Sequence, residues 1–321
     1  MSQASTTKKP TLIIRIQPKQ LVIVLALVLL LYVIIPQLGS FRHSLSLVEQ
    51  AERGWIIFGA VCYMGTSIMS VCIYRLLAPR HLPLVRTTIV QYGSSFANRL
   101  LPAGIGALGV SYFYLRKQKC TPASALAVVT LNNVLGTAGH FVLLLAILIV
   151  APATYKNLHL GVHIGSQIGI VATVVTVIIA LGIVGYLKFR RRLQTVIGDT
   201  AAKLGAYRHQ KLKVGLALLF SMTLTMLHAT CLWASVTALH GSITLAAAIV
   251  ILGIGVSVGA AIPSPGGLGG AEAGLVAGLV AFGLAVPTAV AAAIVYRLAT
   301  YWLGFVVGAF AFVWSEKKSY F

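Results

Sequence analysis

The stretch Ile262-Pro263-Ser264-Pro265-Gly266-Gly267-Leu268-Gly269-Gly270-Ala271-Glu272 separates two strongly apolar runs and cannot itself be continuous helix. Proline removes a backbone donor, and glycine carries a conformational cost in a helix, so a segment this rich in both must break one. Inside hydrocarbon a broken backbone is tolerated only where protein buries it or where it lines a wet cavity. Glu272 adds a second oddity: the chain has only five acidic residues, and this is the one set within an apolar stretch. An ionisable side chain at membrane depth marks a functional site by default.

Working outward, 58% of the 321 residues are hydrophobic and 9% are charged, with several apolar runs near the ~20 residues needed to cross a bilayer. The runs are continuous, not alternating, which excludes an outer-membrane barrel. The expected fold is an all-α polytopic membrane protein. A net charge of +20 would suggest nucleic acid in a soluble protein. Here the basic residues cluster in short loops between apolar spans, so topology and anionic headgroups account for them, and no nucleic-acid partner is expected. Cys62, Cys72, Cys120 and Cys231 show no paired spacing. Neither a disulfide framework nor a metal site follows from them, and no cofactor is expected.

Lys8, Lys9, Arg15 and Lys19 make residues 1–19 a cytoplasmic tail ahead of a first span at about 20–38, read as a retained helix. Residues 41–54 balance Arg42 and Arg53 against Glu49 and Glu52, as suits an outer linker with a short interfacial helix. Span two, about 55–77, leads to a basic loop with Arg75, Arg80 and Arg86. Residues 87–115 are apolar but broken at Asn98-Arg99-Leu100-Leu101-Pro102-Ala103-Gly104-Ile105-Gly106, with basic residues at both ends. Each half is short for a crossing, so a re-entrant hairpin opening to the cytoplasm is expected, with Arg99 near its tip. Span three, about 122–151, starts at Thr121-Pro122, a hydroxyl cap followed by proline at the first helical position. Span four, about 164–187, runs into residues 188–213, where eight basic residues face Asp199, the strongest cytoplasmic signal in the chain. Span five is about 214–239. Residues 244–286 form the second interrupted pair, either re-entrant or two full spans. Span six, about 287–313, precedes a cytoplasmic tail, 314–321, with Lys317 and Lys318.

The two breaks share one pattern, proline-x-glycine-aliphatic-glycine, at Pro102 to Gly106 and at Pro265 to Gly269. Around each lies the same order of two spans, a hairpin and one span, and the charges give the halves opposite orientations. The reading is an inverted repeat, halves about 20–151 and 164–313, within one integral membrane domain, 20–313. It comprises about six full spans plus two interrupted or re-entrant hairpins, about eight membrane segments. Such repeats place a transport site near the midplane where broken elements meet.

Glu272 falls where the helix after the break should start, a position where unpaired amides stabilise a carboxylate. It is either a structural cap or ion-pair partner, or a group for proton coupling or cation recognition. Arg297, within Tyr296-Arg297-Leu298, is its countercharge, and its planar fork also suits phosphate. Arg99 is the second phosphate candidate, its alternative role being to cap its own hairpin. Asn98, Asn132 and Asn133 are candidate cavity-lining groups or interhelical hydrogen-bond partners. His140 and His228, alone on apolar faces, are weaker candidates, and Tyr301 and Trp302 read as packing or interfacial anchors.

The run Pro263-x-Pro265-Gly266-Gly267-x-Gly269-x-x-Glu272, then Tyr296-Arg297-Leu298 and Tyr301-Trp302, resembles the membrane domain of lysylphosphatidylglycerol synthase/flippases and its stand-alone relatives. Asn98-x-x-x-Pro102-x-Gly104-x-Gly106 looks like that family's first signature, and the resemblance covers nearly the whole chain. It implies a bundle with paired re-entrant elements that moves lipids between leaflets, beside glycolipid or aminoacyl-lipid synthesis. The aminoacyl-transferase domain of two-domain members is not found here, so lysine transfer is not expected. Residues Ala107 to Ser111 are apolar or small where the family often carries an acid and an arginine, which leaves Arg99 as the charge of the first hairpin.

The expectation is therefore a flippase-like protein of the inner membrane, multi-pass with both termini cytoplasmic and without enzymatic activity. It would translocate a phospholipid or lipid-linked headgroup, with anionic or lipid-linked membrane lipids as partners. Glu272, Arg297, Arg99, Asn98 and Tyr296 would form the substrate path, and Pro102, Gly104, Gly106, Pro263, Pro265, Gly266, Gly267 and Gly269 the backbone breaks. The rivals are a proton-coupled carrier of small anions and a non-catalytic partner of a lipid- or glycan-modifying enzyme. A membrane-embedded glycosyltransferase is a weaker rival, because Glu49 and Glu52 are the only acids expected in outer loops.

Overall fold

Prolines and one glycine set the helix boundaries in the computed structural model, which describes residues 46–101, 105–151, 204–261 and 269–321. Helix α1, Arg53–Leu77, ends where Ala78 turns extended ahead of Pro79, since the residue before proline is pushed out of the helical region. Pro83 then precedes α2, Leu84–Leu100. After α3, Ile105–Lys117, the Thr121 hydroxyl accepts a hydrogen bond from Ser124 N at 3.2 Å and Pro122 opens α4, Pro122–Val150. A 3₁₀ turn, Tyr207–His209, leads into α5, Lys211–Thr237, followed by α6, Leu245–Ala261. Helix α7, Gly270–Ala281, is entered through Gly269 at φ +85°, a left-handed conformation that favours glycine. Last come α8, Val286–Arg297, a π-helical segment, Leu298–Leu303, and α9, Gly304–Lys317.

Among the described residues all regular structure is helical. Four stretches are long and apolar enough to cross a membrane: Arg53–Leu77, Pro122–Ile147, Lys211–Thr237 and Val286–Lys317. They coincide with expected spans two, three, five and six. Expected spans one (20–38) and four (164–187) lie outside the described residues, as do residues 102–104 and 262–268 of the two breaks. Residues 46–49 form a helical turn in the expected outer linker.

Close approach at glycines shows how the helices run. Helices α1 and α5 are antiparallel, with Gly59 against Cys231 and Ala234 and Gly65 against Leu227. At one end Glu52 N donates to Ala238 O at 2.9 Å, and the Glu52 carboxylate lies 3.4 Å from His240 Nδ1. At the other end the Tyr207 hydroxyl donates to Leu77 O at 2.5 Å.

Helices α2 and α3 form a hairpin. The Thr87 and Tyr114 hydroxyls meet at 2.7 Å near its mouth, and Gly106 abuts the Ala97 backbone near its tip. Its mouth is at the end that carries Leu77 and Tyr207. Helices α6 and α7 form a second hairpin, with Gly255 against Leu275 and Gly278 against Ile251. It opens the opposite way: Leu284, just past α7, packs beside Gly241, just past α5. Helix α3 has 13 residues and α7 has 12. At 1.5 Å per residue each is about 20 Å long, short of the ~30 Å hydrocarbon core.

Helix α9 packs along α2. A Cβ at Gly308 would lie 2.8 Å from both Phe96 Cβ and the Tyr92 carbonyl, so side-chain rotation alone cannot make room. Gly308→Ala should cost about 1–3 kcal/mol through overpacking and lower the thermal unfolding midpoint in detergent. Gly109, whose added Cβ would meet nothing within 4 Å, is the control: Gly109→Ala should leave the midpoint unchanged or raise it.

Candidate functional site

Arg99 sits in the last turn of α2 and is only 8% exposed. Its Nη1 donates to Ser95 O at 2.5 Å and Ser95 Oγ at 2.6 Å, closing back on its own helix. Its Nη2 donates to the Tyr63 hydroxyl of α1 and to Thr300 O at 2.6 Å in the π-helical segment. A π turn departs from the regular i→i+4 hydrogen-bond ladder, and here a carbonyl of that segment takes a side-chain donor. Gly304 completes the fit, because a Cβ there would run into Arg99 Nη2 and the Tyr63 hydroxyl. Tyr63 is the eleventh residue of α1, about 15 Å along a helix of about 37 Å, so this cluster lies near mid-depth.

The second charged centre is built from the other hairpin. Glu272, third residue of α7, reaches back with Oε2 to accept from Gly269 N at 2.7 Å, capping the helix it belongs to. Its Oε1 stands 2.8 Å from Arg297 Nε, with the side chains 32% and 16% exposed. The approach is off the N–H axis: Arg297 Nε and Nη2 are buried and make no hydrogen bond among the described residues. The pair is a Coulombic contact that leaves donor capacity on the guanidinium. Tyr301 links the centres, with both guanidinium carbons 5.6 Å from its ring centroid. The tips of two oppositely directed hairpins thus come together around one tyrosine.

A cavity of about 1000 Å³ lies beside this cluster, between α4, α5 and α6, with α1 and α8 contributing. Its polar lining includes Asn132, Asn133, His140, Ser221, His228 and Tyr296. His228 Nδ1 is 3.3 Å from the Tyr296 hydroxyl, and its ring meets Tyr63 edge-on at 5.7 Å. The cavity therefore joins the Arg99 cluster through Tyr63 and the Arg297 pair through the helix that carries Tyr296. Phe141 and Val256 on its rim, about two-thirds of the way along α4 and α6, are 59% and 67% exposed.

Of the residues expected to form the path, Glu272, Arg297 and Arg99 converge, and Tyr296 faces the cavity. Asn98, next to Arg99 in the chain, is half-buried, with its Oδ1 buried and unpartnered among the described residues. Arg99 holds four hydrogen bonds to protein, two to Ser95 on its own helix and two to Tyr63 and Thr300 on other elements, so it ties its hairpin to the rest of the bundle. Gly106 and Gly269 stand at the hairpin tips, while Pro102, Gly104, Pro263, Pro265, Gly266 and Gly267 lie outside the described residues. Sequence reading gave little weight to His140 and His228, which the fold brings to one cavity, and it took Tyr301 for a packing anchor. Thr300 and Ser221 carry no sequence signal, because a Ser or Thr hydroxyl in an apolar helix is ordinarily satisfied by its own backbone, and Tyr63 reads as one more aromatic in an apolar span.

The family model described as "Lysylphosphatidylglycerol synthase TM region" matches residues 20–308. No curated protein matches the chain significantly.

The geometry separates the two arginines by role. Arg99→Gln removes charged hydrogen bonds to α1 and the π segment, each typically worth about 1.5–3 kcal/mol. It should therefore lower the unfolding midpoint in detergent clearly. Glu272→Gln keeps an acceptor at the third helical position for the Gly269 amide and should lower it less. An equal or reversed order would overturn Arg99's assignment as the tether.

Proposed function

The chain belongs to the lysylphosphatidylglycerol synthase transmembrane family, and from that premise we propose that it translocates a phospholipid or lipid-linked headgroup between the leaflets of the inner membrane. The observation that carries this reading is the Arg297 guanidinium, whose Nε and Nη2 make no hydrogen bond among the described residues, held where two opposed hairpins meet beside a cavity with exposed apolar side chains on its rim. An arginine with free donors is suited to a phosphate, whose oxygens accept its planar fork. A cavity that opens sideways among apolar side chains lets the headgroup enter while its chains stay in the bilayer.

In this mechanism the phosphate competes with Glu272 for Arg297. Glu272 does not become an isolated charge when displaced, because it keeps the Gly269 amide and the positive end of α7. It therefore acts as a gate that closes on the arginine when the site is empty. Arg99 is a tether, not a phosphate ligand. The opposed hairpins are corresponding elements of the two halves of an inverted repeat, with alternating access around the Tyr301 cluster. Helix ends and the loop at the mouth of the first hairpin carry Arg75, Arg80, Arg86 and Arg116, and Lys317 lies at the end of α9 packed against it, so this face and the C-terminus are cytoplasmic, and the basic Lys8, Lys9, Arg15 and Lys19 make the N-terminal tail cytoplasmic as well. No group-transfer step is assigned, and the partners are the lipids themselves, with a lipid- or glycan-modifying enzyme supplying them.

Leaflet exchange of fluorescent phosphatidylglycerol in proteoliposomes tests the proposal. Wild type should exceed protein-free vesicles, Arg297→Ala should fall at least tenfold, and Glu272→Gln should fall by a similar factor through loss of the gate. Exchange that is absent in the folded wild type, or indifferent to Arg297, would sink the reading and favour a carrier of small anions.

A further inference from the structure

The cavity beside the charged cluster carries unsatisfied chemistry of its own. His140 Nε2 and Ser221 Oγ are buried there without a hydrogen-bond partner among the described residues, and Ser221 is only 3% exposed. The His140 ring lies against Gly253, where a Cβ would come within 2.9 Å of Nε2, so the imidazole cannot simply swing into α6. Buried polar atoms of this kind are nearly always answered by a partner. The other polar lining groups are amides, hydroxyls and a second imidazole, and none of the described lining residues is an acid or a permanent cation.

The acid inventory of the chain sharpens this. Its acids are Glu49, Glu52, Asp199, Glu272 and Glu316. Glu49 and Glu52 lie before α1, Glu316 lies in the last turn of α9, and Asp199 falls in the basic loop outside the described residues. Glu272 is engaged by Arg297 and the Gly269 amide. An ammonium group entering the cavity would lose its hydration with no carboxylate waiting, an uncompensated charge burial. A hydroxyl both donates and accepts, so it can satisfy Ser221 and either tautomer of His140.

We propose that the cavity binds the uncharged, hydroxyl-bearing part of an anionic lipid headgroup, a polyol or sugar, and selects against cationic aminoacyl headgroups. This rests on the lipid-translocation reading and names its substrate class. The apolar walls take the adjoining glycerol-ester region, and the phosphate remains Arg297's partner.

The test is competition for fluorescent phosphatidylglycerol bound to the purified full chain in detergent, with unlabelled phosphatidylglycerol, lysylphosphatidylglycerol and soluble glycerol phosphate as competitors. Phosphatidylglycerol should compete at least tenfold better than the lysyl lipid, and glycerol phosphate only weakly. Ser221→Ala and His140→Ala should each weaken phosphatidylglycerol binding severalfold. Asn132→Asp, which puts a carboxylate in the cavity with almost no change of shape, should narrow or invert the preference, a gain that misfolding cannot mimic. If the lysyl lipid competes equally or better in wild type, the headgroup inference falls while lipid translocation stands. If glycerol phosphate matches the lipid, the ligand is soluble and the translocation reading falls with it. Absence of saturable phosphatidylglycerol binding overturns the inference, and the exchange measurement then shows separately whether any lipid moves.

Discussion

A guanidinium buried in the middle of an apolar helix bundle is tolerable only when its donors are answered, and Arg99 is where this protein meets that constraint. Its fork spans the last turn of α2, the Tyr63 hydroxyl of α1 and the Thr300 carbonyl in the π-helical segment between α8 and α9. Three segments far apart in sequence are fixed by one side chain. The π-helical turn at Leu298–Leu303 and the missing side chain at Gly304 are both consequences of that demand. One presents a carbonyl, and the other clears the space the guanidinium occupies.

Arg297 obeys a different logic although it touches the same tyrosine ring. Its charged partner among the described residues, Glu272, approaches from another hairpin and is itself held by a backbone amide. Removing that partner would leave a buried cation half-satisfied, whereas supplying a better anion would satisfy it more fully. The contrast is between a closed set of hydrogen bonds and an open one. It explains how two arginines brought close together can divide into a structural role and a binding role without any difference in residue type.

Much of the fold was legible because the relevant physics is local. Span lengths, the Thr121–Pro122 start, the short arms of the first hairpin and the basic loops can be read directly, and four expected spans coincide with long apolar helices. Glu272 was also legible, since a lone acid after a glycine break has few stable places other than a helix N-terminus. What could not be read depends on tertiary juxtaposition. Nothing local says that Arg99 will find Thr300, 201 residues away, or that His140 and His228 will face one cavity. A histidine on an apolar helix has the same sequence appearance whether it is packed and satisfied or lines a pocket.

The placement of the carboxylate gives the charged centre its reversibility. Were Glu272 held by Arg297 alone, displacing it would strand a carboxylate in a low-dielectric interior, and the barrier to anion entry would include that penalty. Its second bond, to the Gly269 amide at the start of α7, provides somewhere for the charge to remain. That bond exists because Gly269 adopts a positive φ and aims its N–H back at the third helical position. The glycine-rich break is therefore more than an interruption of a helix. Gly269, its last residue before α7, supplies the amide that holds the acid, and in the proposed mechanism this bond lets Glu272 release the arginine.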